Sequence, residues 1–379
     1  MHKLWDPIFW LFLTLGVVWV YRAVRALRAV DLIPRVGPAS KQELQKLKDL
    51  VTVIIPVRNE AQNIWPCLEA LNRQDYPHLQ ILVINDQSND ETESILKSMG
   101  TTYFNAPPTP PGWTGKNAAI HTALPHAKGR WLLFTDADTR HEPASISSAL
   151  NHAESRDLEF LTLLPRCLTV GFFERLIQPM AMAFLGLWFP IERVNQSKTR
   201  DYFGNGQYLL ITRRLYQKIG GHEKVKEAFL EDYALQRLVK QSGARYQCAF
   251  GTEIFGTRMY DSLSHIWQGW RRIYLHAFEK KTWRILLKFL SVVLFSVLPF
   301  FVIIPLTYYA WLMPATFAFS WGFAVMTLIF ILATGWKAYA IVEAKKVYAC
   351  LHPLAAFFIA IILLDAFWMA ATGRETKWR

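Results

Sequence analysis

The chain has 379 residues, 42 Lys and Arg against 30 Asp and Glu for a net charge of +12, and 52% hydrophobic residues. That length holds one ordinary domain plus a membrane region. The positive charge gathers beside apolar stretches, which suits anionic lipid headgroups and argues against nucleic acid as the partner.

The first element is Trp5–Tyr21, an apolar stretch with neither a basic head nor a small-residue cleavage site, so it reads as a retained anchor. Arg22, Arg25, Arg28, Arg35, Lys41, Lys46 and Lys48 follow it. Basic flanks stay on the cytoplasmic side, so the globular middle is expected in the cytoplasm. Val51–Val57, an apolar run containing Pro56, predicts a first buried strand, and Ala61–Gln74 a helix with Ile64, Leu68 and Leu71 on one face. Leu79–Ile84 is the second expected strand, and Asp90 suits the cap of the helix after it. A Pro-rich loop over Asn105–Gly112 leads to a helix over Lys116–His126, a strand over Arg130–Thr135 and a helix over Pro143–Glu154. Leu158–Leu164 and Gln207–Thr212 read as strands and Ala228–Gln241 as a helix. Strands alternating with helices predict an α/β domain, with a parallel sheet gathering strand ends along one edge.

Two helices stand apart. Phe172–Phe189 is apolar almost all round, which fits either a core helix or one lying in the headgroup layer. His265–Trp283 mixes Trp267, Trp270, Tyr274 and Phe278 with Arg271, Arg272, Lys280 and Lys281, the mixture an interface prefers. Beyond it, Ile285–Leu312, Thr316–Gly335 and Pro353–Ala371 reach or approach the ~20 apolar residues a bilayer crossing needs. Three crossings from the cytoplasm would put Arg374, Lys377 and Arg379 outside, against the charge rule; either one stretch is re-entrant or the rule is overridden. The expected organisation is a membrane anchor over 1–24, a basic linker over 25–50, a cytoplasmic domain over 51–262, an amphipathic interfacial helix over 263–284 and a membrane region over 285–379. Cys67, Cys167, Cys248 and Cys350 are far apart and read as reduced packing residues.

The chemistry sits at strand ends. Asp136-Ala-Asp138 follows Trp131-Leu-Leu-Phe-Thr, a spacing that lets one carboxylate bind Mg²⁺ or Mn²⁺ while the other contacts the ligand. Hard cations take oxygen ligands and share them with phosphates. Asp86, at the end of the second strand, can accept hydrogen bonds from a nucleobase or ribose, whereas Asp90 is equally well a helix cap. Lys116, in Gly112-Trp-Thr-Gly-Lys116, can neutralise a diphosphate, although the loop lacks the spacing of the nucleotide-hydrolase phosphate loop. Glu231 and Asp232 open a helix, where they either complement its dipole or offer a base for an acceptor hydroxyl. Gln268, Trp270, Arg271 and Arg272 combine cations with an aromatic face, for a diphosphate and an acceptor or simply for the membrane interface.

Taken in order, these motifs resemble the family 2 glycosyltransferases over residues ~50–275. The resemblance implies a GT-A, Rossmann-like α/β fold with one N-terminal and about three C-terminal transmembrane helices, a nucleotide-sugar donor (usually a UDP-sugar), a divalent metal and inversion at the sugar carbon. It implies a donor site made of Pro56, Arg58, Glu60, Asp86, Lys116 and Asp136, with Asp86 on the uridine and Asp138 on the metal. Asp232 becomes the general base with Glu231 beside it, and Gln268 and Arg271 flank the acceptor and diphosphate; Trp270 and Arg272 join them on their own aromatic and cationic character. Arg272 departs from the family's last motif, which usually ends in Trp. Gly112-Trp-Thr-Gly-Lys116, Gly204-Asn-Gly-Gln207, Gly220-Gly-His222, Glu231-Asp232-Tyr233 and Arg258-Met-Tyr260 look like the membrane-bound branch that includes hopene-associated, ceramide and carotenoid glycosyltransferases, the carotenoid type most of all.

The expectation is therefore an inverting, metal-dependent transfer of a hexose, glucose first, from a UDP-sugar to a carotenoid or other polyisoprenoid- or sphingolipid-type acceptor. The rivals are a processive polysaccharide synthase, a polyprenyl-phosphate glycosyltransferase, and a non-catalytic membrane protein that binds a nucleotide-sugar.

Overall fold

The computed structural model describes residues 7–189, 191–196, 198–199 and 201–374; Trp5 of the expected anchor and the terminal Lys377 and Arg379 lie outside them. The chain forms two compact units. One is Leu32–Leu168 with Phe189–Met259; the other joins Thr169–Trp188, among the described residues, to Pro7–Asp31 and Tyr260–Arg374.

The first unit is built on a seven-stranded sheet in the order β3-β2-β1-β4-β8-β6-β9. The strands are β1 (Val51–Val57), β2 (Leu79–Asn85), β3 (Tyr103–Asn105), β4 (Trp131–Phe134), β6 (Phe160–Leu164), β8 (Leu209–Thr212) and β9 (Tyr246–Phe250). A smaller sheet holds β5 (Thr139–His141), β10 (Phe255–Thr257) and β7 (Arg166–Cys167). Strand β1 is buried along its whole length, as a strand covered on both faces must be. Its alternate residues serve two cores. Val51, Val53, Ile55 and Val57 pack with Ile64, Leu68, Leu71, Ile146 and Leu150. Ile54 packs with Ala119, Ile120, Leu235 and Val239 on the opposite face.

The expected parallel sheet needs correction. β3, β2, β1 and β4 are parallel, but β8 runs antiparallel to both β4 and β6. Hence the sheet is mixed. The carboxyl ends of β1, β2 and β4 still share one edge, which is where ligands bind in open α/β sheets. Five short strands were not read from the sequence: β3, β5, β7, β9 and β10. Three of them are only three residues long or fewer in the small sheet, too short to show an alternating pattern.

The second unit contains four helices long and apolar enough to cross a membrane: Pro7–Leu32, Thr282–Leu312, Pro314–Ile341 and Lys346–Thr372. Phe301, Ile304, Trp311, Met326, Ile329 and Trp368 lie exposed on them, the surface that a bilayer rather than water would suit. Helix Phe172–Trp188 belongs to this unit. Its Leu176, Ile177, Met180 and Ala181 are buried, and Leu176 gives its carbonyl to the Tyr339 hydroxyl at 2.6 Å. The expected His265–Trp283 helix is two helices, Leu263–Ala277 and Thr282–Val292. Glu279 and Lys280 take positive φ (57° and 54°), and the Lys280 N–H closes on the Leu275 carbonyl at 2.8 Å, ending the first helix in a left-handed turn.

Candidate active site

The parallel strands set the site. In register, Val57 pairs with Asn85, so Arg58 and Asp86 leave the sheet side by side. The Arg58 guanidinium reaches Asp86 at 3.3 Å, and Asp86 is almost fully buried. Burial pushes its carboxyl up from the ordinary value, with Arg58 opposing. The two strand-end loops are tied together: Asn59 donates its N–H to Ser88 (3.0 Å), Asn89 to the Asn59 side chain (2.9 Å), and Glu60 to Thr92 (2.8 Å). Asn59 and Gln87 hold left-handed φ of 55° and 54°, directly after Arg58 and Asp86, a conformation asparagine tolerates well. The cap position of the helix Thr92–Ser98 is Glu91 rather than Asp90; Asp90, one residue before it, accepts from the Thr92 and Ala61 N–H groups (3.0 and 3.1 Å) and so ties the two loops together.

Past β4, Asp136 and Asp138 lie in the turn into β5. The turn is held from behind by Thr139, whose hydroxyl donates to the Asp136 carbonyl at 2.7 Å, and by His141, which bonds Thr135, Thr139 and Ser145. Burial drives His141 down to about 3, so it stays neutral. Asp138 is pushed up to about 7 by burial first and then by the charges of Asp136 and Glu60; Lys116 and Arg140 oppose.

Lys116, in the first turn of helix Gly115–Ala123, is the hub. Its ammonium meets Asp136 at 2.8 Å and Glu231 at 2.7 Å. Burial alone would lower its pKa, but the two carboxylates prevail and raise it, so the lysine is charged. Beside it, Asp232 accepts the Gly206 N–H at 2.8 Å and the Tyr233 N–H at 2.7 Å. Burial, then Glu231, pushes Asp232 up to about 7 against Lys116 and those two N–H donors.

This packing needs glycine. A Cβ at Gly204 would stand 2.4 Å from the Asp232 carbonyl oxygen; one at Gly206 would crowd Asp232, Glu231 and Lys116 at 3.2–3.3 Å. Asn117 is a second contributor, one that belongs to no motif. Its side-chain amide lies 2.9, 3.1 and 3.0 Å from the carbonyls of Val225, Lys226 and Ala228, fixing the loop that delivers Glu231 and Asp232. Polarity inside a helix of small residues was the available signal.

Thus Lys116, Asp136, Asp138, Glu231 and Asp232 form one constellation, with Arg58 and Asp86 at the neighbouring strand ends. Pro56 is the sixth residue of buried β1, paired with Ile84, and Glu60 follows at the start of the β1 loop. Four carboxylates share a single lysine, an acid excess that suits a divalent cation. Asp138 Oδ1 is buried without a hydrogen-bond partner, an open ligand position. Among the described residues no group of three or more His, Cys, Asp or Glu stands ready to hold a metal. A cation here would therefore complete its shell from diphosphate oxygens and water, as Mg²⁺ and Mn²⁺ commonly do.

Gln268, Trp270, Arg271 and Arg272 lie on helix Leu263–Ala277 of the other unit. Leu263, Ser264, Trp267, Gln268 and Arg271 line a groove of about 470 Å³. Trp270 does not line it: its ring is buried against Tyr274, leaving Trp267 as the groove's aromatic face.

Residues 52–220 match the family described as Glycosyl transferase family 2. A 4,4'-diaponeurosporenoate glycosyltransferase of Staphylococcus aureus is 25% identical over 231 residues, 59% of this chain and 60% of that protein. The chain thus spans about 60% of the length of the curated relatives it matches. A mannosyltransferase from Pyrobaculum calidifontis, solved with GDP-Man and Mn²⁺, is similar at a TM-score of 0.54 and 20% identity, covering 97% of this chain and all of that one. Together with the mixed sheet, that likeness establishes the GT-A glycosyltransferase fold.

Proposed function

We propose that the protein is a membrane glycosyltransferase that moves a hexose from a UDP-sugar onto the hydroxyl of a lipid, with inversion at the sugar carbon. The carrying observation is the meeting of Lys116, Asp136, Asp138, Glu231 and Asp232 at the sheet edge of a family 2 domain. Asp86 and Arg58 bind the uridine end of the donor, and Asp136 and Glu231 hold Lys116 charged for the diphosphate. Asp138, with Asp136 beside it, would hold Mg²⁺ or Mn²⁺, which supplies positive charge for the departing diphosphate.

Asp232 takes the proton of the acceptor hydroxyl as its oxygen bonds to the anomeric carbon. The bond from that carbon to the diphosphate breaks, and UDP leaves with the electron pair. A base whose carboxyl is pushed up to about 7 is matched to work at neutral pH. It would be superfluous for a carboxylate acceptor, which is already ionised, so the reading favours a hydroxyl. Gln268 and Arg271 are assigned to the acceptor, as the motif implies; the four membrane-length helices and the carotenoid-type relative support a long apolar lipid. The catalytic domain is assigned to the cytoplasmic side on the basic residues that follow the first helix.

The test is lipid mass spectrometry of a host with and without the gene, beside transfer from UDP-hexose in detergent with Mn²⁺. One lipid gaining the mass of one hexose is expected. A ladder of masses, or UDP-sugar binding without any product, would overturn the reading.

A further inference from the structure

We propose that Asp365 is a positioning residue for the acceptor groove: from the last membrane-length helix it fixes Trp267 and Arg271. The proposal rests on the reading of that groove as the acceptor end. A single oxygen carries it. Asp365 Oδ2 accepts the indole N–H of Trp267 at 2.7 Å and a guanidinium N–H of Arg271 at 3.0 Å. Trp267 and Arg271 lie four residues apart on helix Leu263–Ala277, hence on one face, and both line the groove.

Asp365 is the only acid in helix His352–Thr372, whose other residues are almost all apolar. An ionisable group in such a segment is costly and is kept where it has a partner and a task. Neutralising Arg271 would require only the ion pair. Here the same oxygen also holds the indole N–H, so the ring plane of Trp267 and the fork of Arg271 are set together. Arg271 Nε is buried with no hydrogen-bond partner, a donor that an oxygen entering the groove would satisfy. Leu263 and the Trp267 ring offer apolar surface to the tail, while Ser264, Gln268 and Arg271 offer polar groups to an oxygen-bearing head. That chemistry fits a lipid alcohol. Asp365 itself transfers nothing; it acts through the two residues it holds.

The full chain in detergent, with UDP-glucose, Mn²⁺ and a hydroxylated carotenoid, provides the test. Asp365→Asn should lower kcat/KM for the carotenoid roughly tenfold, chiefly through KM, as loss of an orienting partner does, while KM for UDP-glucose stays within about twofold. Asp365→Glu, which keeps the charge, should recover part of the loss. Wild-type acceptor kinetics in Asp365→Asn, or an equal loss for both substrates, would overturn the proposal. Should Asp365→Asn fail to fold, Trp267→Phe keeps an aromatic ring and removes the N–H; an unchanged acceptor KM there overturns it equally. A second readout needs no turnover. Phenylglyoxal labelling of Arg271, followed by peptide mass spectrometry, should rise several-fold in Asp365→Asn; unchanged labelling sinks the proposal. A wild-type protein that transfers no hexose, yet shows this labelling difference, would instead count against the functional reading alone.

Discussion

The two units handle charge in opposite ways. In the sheet unit, four carboxylates crowd around one lysine, and two of them, Asp138 and Asp232, are pushed up to about 7. At the groove of the helix unit, one acid, Asp365, meets one cation, Arg271, and the pair is balanced. On the proposed reading, the contrast separates a site for turnover from one for holding. An excess of buried acid disfavours the empty fold and is relieved when a cation and a diphosphate arrive or a proton is taken up. A balanced pair gains nothing by releasing its partner.

The sharpest way to break this comparison is Asp232→Asn. If Asp232 is the base, transfer to a hydroxyl acceptor should fall by about a thousandfold, within the usual range for a general base, while UDP binding is retained. The wild-type rate should also rise with pH and level off above about 7, because the base works only when deprotonated. Single-turnover assays across pH, with UDP affinity measured in parallel, decide the matter. A mutant with wild-type turnover would remove Asp232 from the chemistry and make its burial merely structural.

Much of this arrangement was readable in the sequence, for a definite reason. Val51–Val57 and Trp131-Leu-Leu-Phe are continuous apolar runs, and an acid just past such a run must sit at a strand end. Parallel pairing of β1, β2 and β4 then brings Asp86 and Asp136 to one edge. The direction of β8 was not readable, because the long excursion through Thr169–Trp188 separates it from β6 and no local signal fixes how the chain returns. Asn117 and Asp365 were missed for a shared reason. Each acts through partners remote in sequence, at Val225–Ala228 and at Trp267 and Arg271, so neither leaves a spacing to recognise. Trp270 misled in the opposite sense: its aromatic character was plain, but helical phase turns it inward and Trp267 outward.

A smaller effect is expected from Asn117→Ala. Removing the amide leaves the carbonyls of Val225, Lys226 and Ala228 without their shared donor, although Thr114 still donates to Lys226 at 2.8 Å. Buried groups stripped of a partner cost about 1–3 kcal/mol, so thermal melting of the protein should shift down. Transfer should fall by roughly tenfold, since the loop no longer presents Glu231 and Asp232 to Lys116 in one geometry. Melting curves and steady-state rates on the same preparation check both. An intact rate with reduced stability would mean that the loop is fixed elsewhere, and the constellation is more rigid than a single amide suggests.

The finest test compares stability itself, in metal-free buffer. The folded carboxyl of Asp232 lies near 7, against 3.8 for the ordinary group. A raised pKa means that the folded state holds its proton more tightly than the unfolded one. Its contribution to stability is fully present below the ordinary value and is lost as pH rises through about 7. At pH above that window the ionised carboxylate works against the fold, and Asp232→Asn, which cannot ionise, should unfold later than the wild type by roughly 1–3 kcal/mol. The difference should close as pH falls below the ordinary carboxylate value. Asp365→Asn should show the opposite sign at neutral pH, because it strips Arg271 of its ion pair with Asp365. Equal signs for the two substitutions would mean that both acids sit in the same electrostatic condition, and the division between a strained site and a balanced one would fall.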